Sequence, residues 1–266
     1  MPFFELLPGD PRSPVLLHVP HAGTEVPAWA RRHLLLDDVE LAAELAALTD
    51  HATDALAARA ADHARMRPFM VVNNVSRFVV DPERFPDERE EMAAVGMAAV
   101  YTRGTRGQRI RAADPAHTEA LLEANYRPWG DAVQAAVEER LAATRRAVLL
   151  DVHSYPSRAL PYELHADRAR PHVCLGTDPV HTPPWLIAAG RTAFADVGSI
   201  GLDAPFAGTY VPLAHHRTDP RVLSLMLEIR RDAYLVEPAG PCTAGAEAVV
   251  AALARLVDAV SAGVPR

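Results

Sequence analysis

The sequence predicts an α/β protein with three layers, helix, sheet and helix, and three observations carry that prediction. Short apolar runs bounded by turn residues alternate with stretches of helical periodicity. The composition, 49% apolar and 23% charged over 266 residues, supports a sizeable buried core. No internal repeat, low-complexity tract or linker interrupts the pattern, so residues 1–266 read as a single domain.

The elements follow in order. Val15-Leu16-Leu17-His18-Val19 reads as a buried strand ending at Pro20, with His21-Ala22-Gly23-Thr24 as the loop behind it. From about Asp37 to Asp62 the spacing predicts one or two helices, with Asp37 and Thr49 or Asp50 as start signals. Phe69-Met70-Val71-Val72 and Phe78-Val79-Val80 read as strand pieces. The stretch from Asp81 to about Asp114 is rich in Pro, Glu, Arg and Gly and reads as a long irregular excursion, the kind of loop that is usually functional. Pro115 to about Arg146 predicts two helices broken near Pro128. Ala147 to Val152 is the clearest strand, followed by a short one at Val173-Cys174-Leu175. Pro184 to Val197 reads as helix, Val222 to Ile229 fits strand or helix, and Ala246 to Val260 reads as a terminal amphipathic helix.

Composition also excludes function classes. A formal charge of −7 gives no electrostatic advantage on a phosphate backbone, so nucleic acid is not an expected partner. The amino terminus, Met-Pro-Phe-Phe-Glu, lacks a basic region followed by a long apolar stretch, and no run is long enough for a membrane span. Two distant cysteines, Cys174 and Cys242, build neither a disulfide framework nor a Cys-based zinc knuckle, which fits a cytoplasmic location. Signatures for a serine elbow, a P-loop, a dinucleotide fold and an H-E-x-x-H zinc helix are absent.

What remains is a scattered set of histidines and carboxylates. In open α/β sheets ligands bind beyond the carboxyl ends of the strands. His21 and His153 each follow an apolar run, so the two can converge on one rim. A catalytic zinc takes about three protein ligands and leaves one position open. Read alone, His21 is a loop histidine bonded to backbone before it is a ligand, and His153 a satisfied core histidine. Glu228 is a lone acid in Leu223-Ser224-Leu225-Met226-Leu227-Glu228-Ile229; burial there raises its pKa toward the range of a general base, unless Arg230 or Arg231 pairs with it. Arg77 and Arg84, flanking Asp81, suit a substrate carboxylate. Tyr210 and His215, in and after Phe206-Ala207-Gly208-Thr209-Tyr210-Val211-Pro212, suit an oxyanion or the substrate.

Val19-Pro20-His21-Ala22-Gly23-Thr24 resembles the opening motif of the N-formylglutamate amidohydrolase family. Val75-Ser76-Arg77-Phe78-Val79-Val80-Asp81-Pro82-Glu83-Arg84-Phe85-Pro86, Gly96-Met97, Val100-Tyr101-Thr102-Arg103, Leu150-Asp151-Val152-His153-Ser154 and Leu227-Glu228-Ile229-Arg230-Arg231-Asp232 resemble its later blocks, in order, across about residues 15 to 235. The resemblance implies a mixed central sheet of the zinc carboxypeptidase and phosphorylase/hydrolase type. It implies one Zn2+ ion and hydrolysis of a linear amide in a small carboxylate-bearing molecule such as N-formylglutamate, as in histidine degradation. Carried onto this chain, His21 and His153 become metal ligands and Glu228 the base. Asp50 is the preferred acidic ligand, because the related amidases place theirs at the start of a helix leading to a strand with an Arg, here Arg77. Glu25 and Asp81 are the alternatives. The chain departs from the histidine-degradation deformylases in lacking an Arg-His-Tyr-Gly stretch near Tyr210, which leaves the substrate open between N-formylglutamate, a peptide or peptidoglycan-type amide, and a bound ligand that is not turned over.

Overall fold

The computed structural model describes residues 3–263; Met1 and Pro2, where the reading of the amino terminus begins, lie outside the described residues. Seven strands, β1 (Phe4–Leu7), β2 (Val15–Val19), β3 (Phe69–Asn73), β4 (Ala147–Tyr155), β5 (Val173–Gly176), β6 (Ile200–Leu202) and β7 (Val222–Arg230), form one sheet in the order β1-β3-β2-β4-β7-β5-β6. The central run β3-β2-β4-β7 is parallel, β1 and β5 join it antiparallel, and β6 pairs parallel to β5, so the sheet is mixed. The helices are α1 (Ala28–Arg31), α2 (Asp38–Leu48), α3 (Thr53–His63), α4 (Pro115–Leu121), α5 (Arg127–Thr144), α6 (Pro184–Ala193) and α7 (Gly245–Ala262).

Successive side chains on a strand point to opposite faces, and that period of two organises the molecule. On one face Val15, Leu17 and Val19 of β2, Val148, Leu150 and Val152 of β4, and Leu225, Leu227 and Ile229 of β7 pack under α3, α6 and α7 in one large core. The other face changes character along the strands. At their amino-terminal ends Leu16, Val71 and Leu149 pack against Trp129, Val133 and Val137 of α5. Two residues further on, the same face presents His18 and Asp151, which are register partners, then His153 opposite Glu228. One face is therefore core throughout, and the other is core that turns into a polar floor at the carboxyl ends.

Several sequence expectations change in the structure. Phe78-Val79-Val80 is a buried turn and coil rather than a strand, with Val79 N–H donating to Ser76 O; β-branched character there serves burial. Asp37 does cap α2 with a full capping box. Asp50 does not cap a helix: α3 starts at Thr53 behind Ala52, whose φ of 63° leaves Asp50 facing inward. The break expected at Pro128 is a π-helical turn, Leu122–Tyr126, which absorbs the amide proline lacks without separating α4 from α5. Helix α6 stops at Ala193, and Val222 onward is strand. The edge strands β1 and β6 were not anticipated.

The excursion after Asp81 carries one short 3₁₀ turn, Glu91–Val95, and is otherwise held by scattered backbone bonds, such as Ile110 N to Thr102 O, and by buried side chains. Arg111, almost fully buried, donates to Tyr101 O (2.8 Å) and Phe78 O (2.6 Å). Glu44 on α2 accepts from Thr105 N (2.8 Å) and Thr105 Oγ1 (2.9 Å). These bonds satisfy buried groups that no ladder reaches, so the loop forms a fixed wall. We predict that Leu150→Ala, at the centre of the large core, lowers unfolding free energy by about 2–5 kcal/mol in urea titration. Val39→Ser on the exposed side of α2 should change it by less than about 0.5 kcal/mol. Equal midpoints for the two variants would contradict the assigned faces.

Candidate active site

A cavity of about 900 Å3 opens above the polar floor, walled by the excursion on one side and by residues 206–213 on the other. His21, Asp50, Arg77, Asp81, Glu83, Arg84, Asp151, His153, Tyr210, Glu228 and Arg231 all line it.

The loop carrying His21 is fixed by backbone contacts. Asn73 Nδ2 donates to Pro20 O (2.9 Å), and Asp50 N donates to His21 O (3.0 Å), tying the turn after α2 to the turn after β2. Gly23 lies against the backbone of Asn74, where a Cβ would come within 2.3 Å of Asn74 C, so only glycine permits this approach.

Both imidazoles are backed by carboxylates. His21 Nε2 lies 2.9 Å from Asp81 Oδ1, and His153 Nε2 lies 2.9 Å from Asp151 Oδ1. Burial alone would raise Asp81, but Arg77, His21 and Arg84 outweigh it and hold the carboxyl well below its usual range. Asp151 is likewise buried yet held well below the usual range by His153 and His18. Ionised carboxylates only accept, so both Nε2 atoms are donors and both Nδ1 edges turn inward. There the two Nδ1 atoms face each other at 3.2 Å. Asp50 Oδ2 completes the triangle, 3.1 Å from His153 Nδ1 and 3.8 Å from His21 Nδ1. Donors spaced this way match the face of a tetrahedron around zinc, where neighbouring ligand atoms are about 3.3 Å apart. Asp50's other oxygen lies 3.7 Å from Arg231 NH2.

Charge at this point also favours a cation. Burial lowers the His153 pKa, but Glu83, Asp151 and Asp50 outweigh it and hold the imidazole well above the usual histidine range. The cluster therefore stabilises positive charge, as a proton or as a metal ion. Glu83, which sequence reasoning missed, places Oε2 3.2 Å from His153 Nε2 and 3.7 Å from His21 Nδ1. His21, Glu83 and His153 thus form a second ligand combination. Glu83 approaches the His153 edge that Asp151 already occupies, whereas Asp50 faces the inward edge. The signal for Glu83 was its place two residues after Asp81, in a block read only for its Asp and Arg.

The remaining candidates divide. Glu228 stands beside His153 on the adjacent strand, and burial pushes its carboxyl up to about 8. Its Oε2 is buried without a hydrogen-bond partner, and the expected competitors are occupied elsewhere: Arg230 pairs with Asp232 (2.7 Å) and Arg231 donates to Ala47 O (2.7 Å). Arg77 is fully engaged, donating from NH2 to Asp81 Oδ2 (2.8 Å) and from Nε to Tyr101 OH (3.0 Å). Arg84 is held only by longer ion contacts, to Asp81 (3.5 Å) and Glu90 (3.6 Å). Tyr210 stacks on His18 with ring centroids 4.5 Å apart, and burial holds its hydroxyl protonated. His215 is not on the cavity wall; its ring faces Glu138 and Asp219, and its neighbour His216 lines the cavity instead. Glu25 is exposed outside the site, and Asp81 sits behind His21. His18, Asp151 and Tyr101 are not site candidates in the sequence, and Arg231 is named there only as a possible partner of Glu228.

Comparison with known proteins adds family to geometry. Residues 13–235 match the N-formylglutamate amidohydrolase family. The fold is similar to the crystal structure of N-formylglutamate amidohydrolase from Ralstonia eutropha JMP134, at a TM-score of 0.83 and 21% identity over 98% of each chain. It is also similar to gene product Atu2144 from Agrobacterium tumefaciens, at a TM-score of 0.69 and 21% identity over 98% of this chain and 96% of that one. No curated protein matched the sequence. The match spans both histidine strands and the strand of Glu228, and on that ground the chain belongs to the N-formylglutamate amidohydrolase family, a family of hydrolases.

Proposed function

We propose that the protein hydrolyses the N-acyl amide of a small carboxylate-bearing amino acid, N-formylglutamate or a near relative, with a zinc ion held by His21, His153 and Asp50. The observation that carries this reading is the convergence of two Nδ1 edges and one carboxylate oxygen within 3.8 Å, beside an unpaired buried glutamate. Two imidazoles and a carboxylate suit zinc and leave a coordination position free. When bound, such an ion polarises the amide carbonyl and acidifies water.

The chain's own groups do the rest. Glu228 in its ionised form takes a proton from the attacking water as its oxygen adds to the carbonyl carbon, and burial makes that carboxylate a stronger base than an exposed one. The Tyr210 hydroxyl, kept protonated, donates to the developing oxyanion. As the C–N bond breaks, Glu228 returns the same proton to the leaving nitrogen, so the products are a carboxylic acid and a free amine. Arg84 anchors the substrate carboxylate, because its guanidinium is held only by contacts longer than a hydrogen bond. Arg77 serves mainly to hold Asp81 in place behind His21.

A cavity of about 900 Å3 favours a second reading of the substrate. Pockets of roughly 300–1,000 Å3 suit ligands much larger than N-formylglutamate, which has about a dozen non-hydrogen atoms. A longer acyl group or a peptide amide therefore also fits. Turnover of N-formyl-, N-acetyl- and longer N-acyl-glutamates, beside dipeptides, tests both. N-formylglutamate should be cleaved, and no hydrolysis of any member would reject the enzyme reading.

Glu228→Gln should lower kcat by about 100-fold or more, with metal content unchanged in elemental analysis. Full turnover by that variant would remove Glu228 from the mechanism. Arg84→Ala should raise KM about 10-fold or more for carboxylate-bearing substrates and leave an uncharged N-acyl amide unaffected. A KM equal to wild type would move the anchor elsewhere.

A further inference from the structure

His18 sits on β2, completely buried, with its ring stacked on Tyr210 and 5.3 Å from the ring of Trp129. An apolar ring would suit that position. An imidazole instead leaves Nε2 buried without a hydrogen-bond partner, a cost that packing alone does not explain. What the imidazole adds is polar: Nδ1 donates to Asp151 Oδ1 at 2.8 Å, with Glu83 Oε1 further from the same nitrogen at 3.4 Å.

Asp151 is the carboxylate behind His153. Its Oδ1 accepts from both His18 and His153, and its Oδ2 accepts from Tyr210 N (3.1 Å). Three donors from three parts of the chain thus fix one carboxylate. His18 and Asp151 are register partners on β2 and β4, so the backbone sets their spacing. We propose that His18 is a positioning residue: by fixing Asp151, it sets the ring orientation of His153 and so the alignment of Nδ1 toward His21 and Asp50. Carboxylates behind ligating histidines orient the ring and tune its basicity, and the same logic extends here one residue further out. This inference rests on the metal reading above, and the site it refines is the one His153 shares with His21 and Asp50.

Two substitutions separate the bond from the packing. His18→Phe keeps the aromatic ring and loses the donor; His18→Asn keeps an N–H donor near the Nδ1 position and loses the ring. The readouts are Co2+ titration of the metal-free protein by visible absorption, Zn2+ affinity by chelator competition, and Tm without metal. The expected result is that His18→Phe lowers metal affinity about tenfold or more and alters the cobalt spectrum without lowering the metal-free Tm, while His18→Asn stays within about threefold of wild-type affinity. Wild-type affinity and spectrum in His18→Phe would overturn the proposal, as would equal losses of affinity in both variants that track Tm. Wild-type protein that binds neither ion would overturn the metal reading and this inference with it. Metal binding by wild type with an unaffected His18→Phe would sink this inference alone.

Discussion

The two imidazoles over the sheet face one another only because each is held from behind by an ionised carboxylate. Asp81 and Asp151 occupy the Nε2 edges, so the Nδ1 edges are left to meet at 3.2 Å with Asp50 beside them. Take away either backing carboxylate and the tautomer is free to change, and an N–H could then point into the centre. The backing groups need support in turn, since a buried carboxylate is costly without partners. Arg77 and Tyr101 supply it for Asp81, and Tyr210 N and His18 supply it for Asp151. The centre is thus the innermost ring of a network in which every outer group exists to fix the direction of an inner one.

Strand parity places most of this network. His18, Asp151, His153 and Glu228 share one face of three adjacent parallel strands, and a shift of one residue in any register would turn that strand's polar groups into the apolar core under α3 and α7. The hydrophobic face therefore specifies the site indirectly. Large buried residues at alternate positions leave no other register, and the polar residues between them are aligned as a consequence. His21 and Asp50 lie outside the strands, and a single backbone bond between their loops, Asp50 N to His21 O, does for them what register does for the others.

This division explains what could be read from the sequence. His21, His153 and Glu228 follow or occupy apolar runs, where a polar residue stands out against its neighbours, and the strand and helix patterns around them were equally legible. Asp50 is read from the sequence as a helix start, which it is not, yet it faces both histidines. Glu83 was hidden because the excursion has no periodicity against which an acid is conspicuous. His18 was hidden by its own strand, since one histidine within Val-Leu-Leu-His-Val reads as a tolerated core residue until its partner 133 positions away is known. Phe78-Val79-Val80 shows the converse error, apolar β-branched residues buried in a turn by side-chain bonding from Arg111 rather than by a ladder. Edge strands β1 and β6 are short and only partly buried, so their pattern is weak.

The excursion from Asp81 to Asp114 combines two demands that usually conflict. Its first residue must be rigid, because Asp81 orients His21, and Arg77, Tyr101 and backbone bonding to Ala99 make it so. Glu83 and Arg84, two and three residues later, reach into the same cavity with side chains that are 16% and 26% exposed and lightly held. Placing both on one loop means that these two side chains start from an anchored point beside His21 and His153. Adjustment then costs little chain entropy, because only side chains and a short segment move while the wall stays fixed by Arg111 and Glu44. Arg77 donates to Asp81 Oδ2 at 2.8 Å, so a change there would propagate through Asp81 to His21, whereas Glu83 and Arg84 reach the histidines and Asp81 through looser contacts of 3.2 to 3.7 Å. The excursion thus carries both the carboxylate that orients His21 and the side chains that reach past it into the cavity.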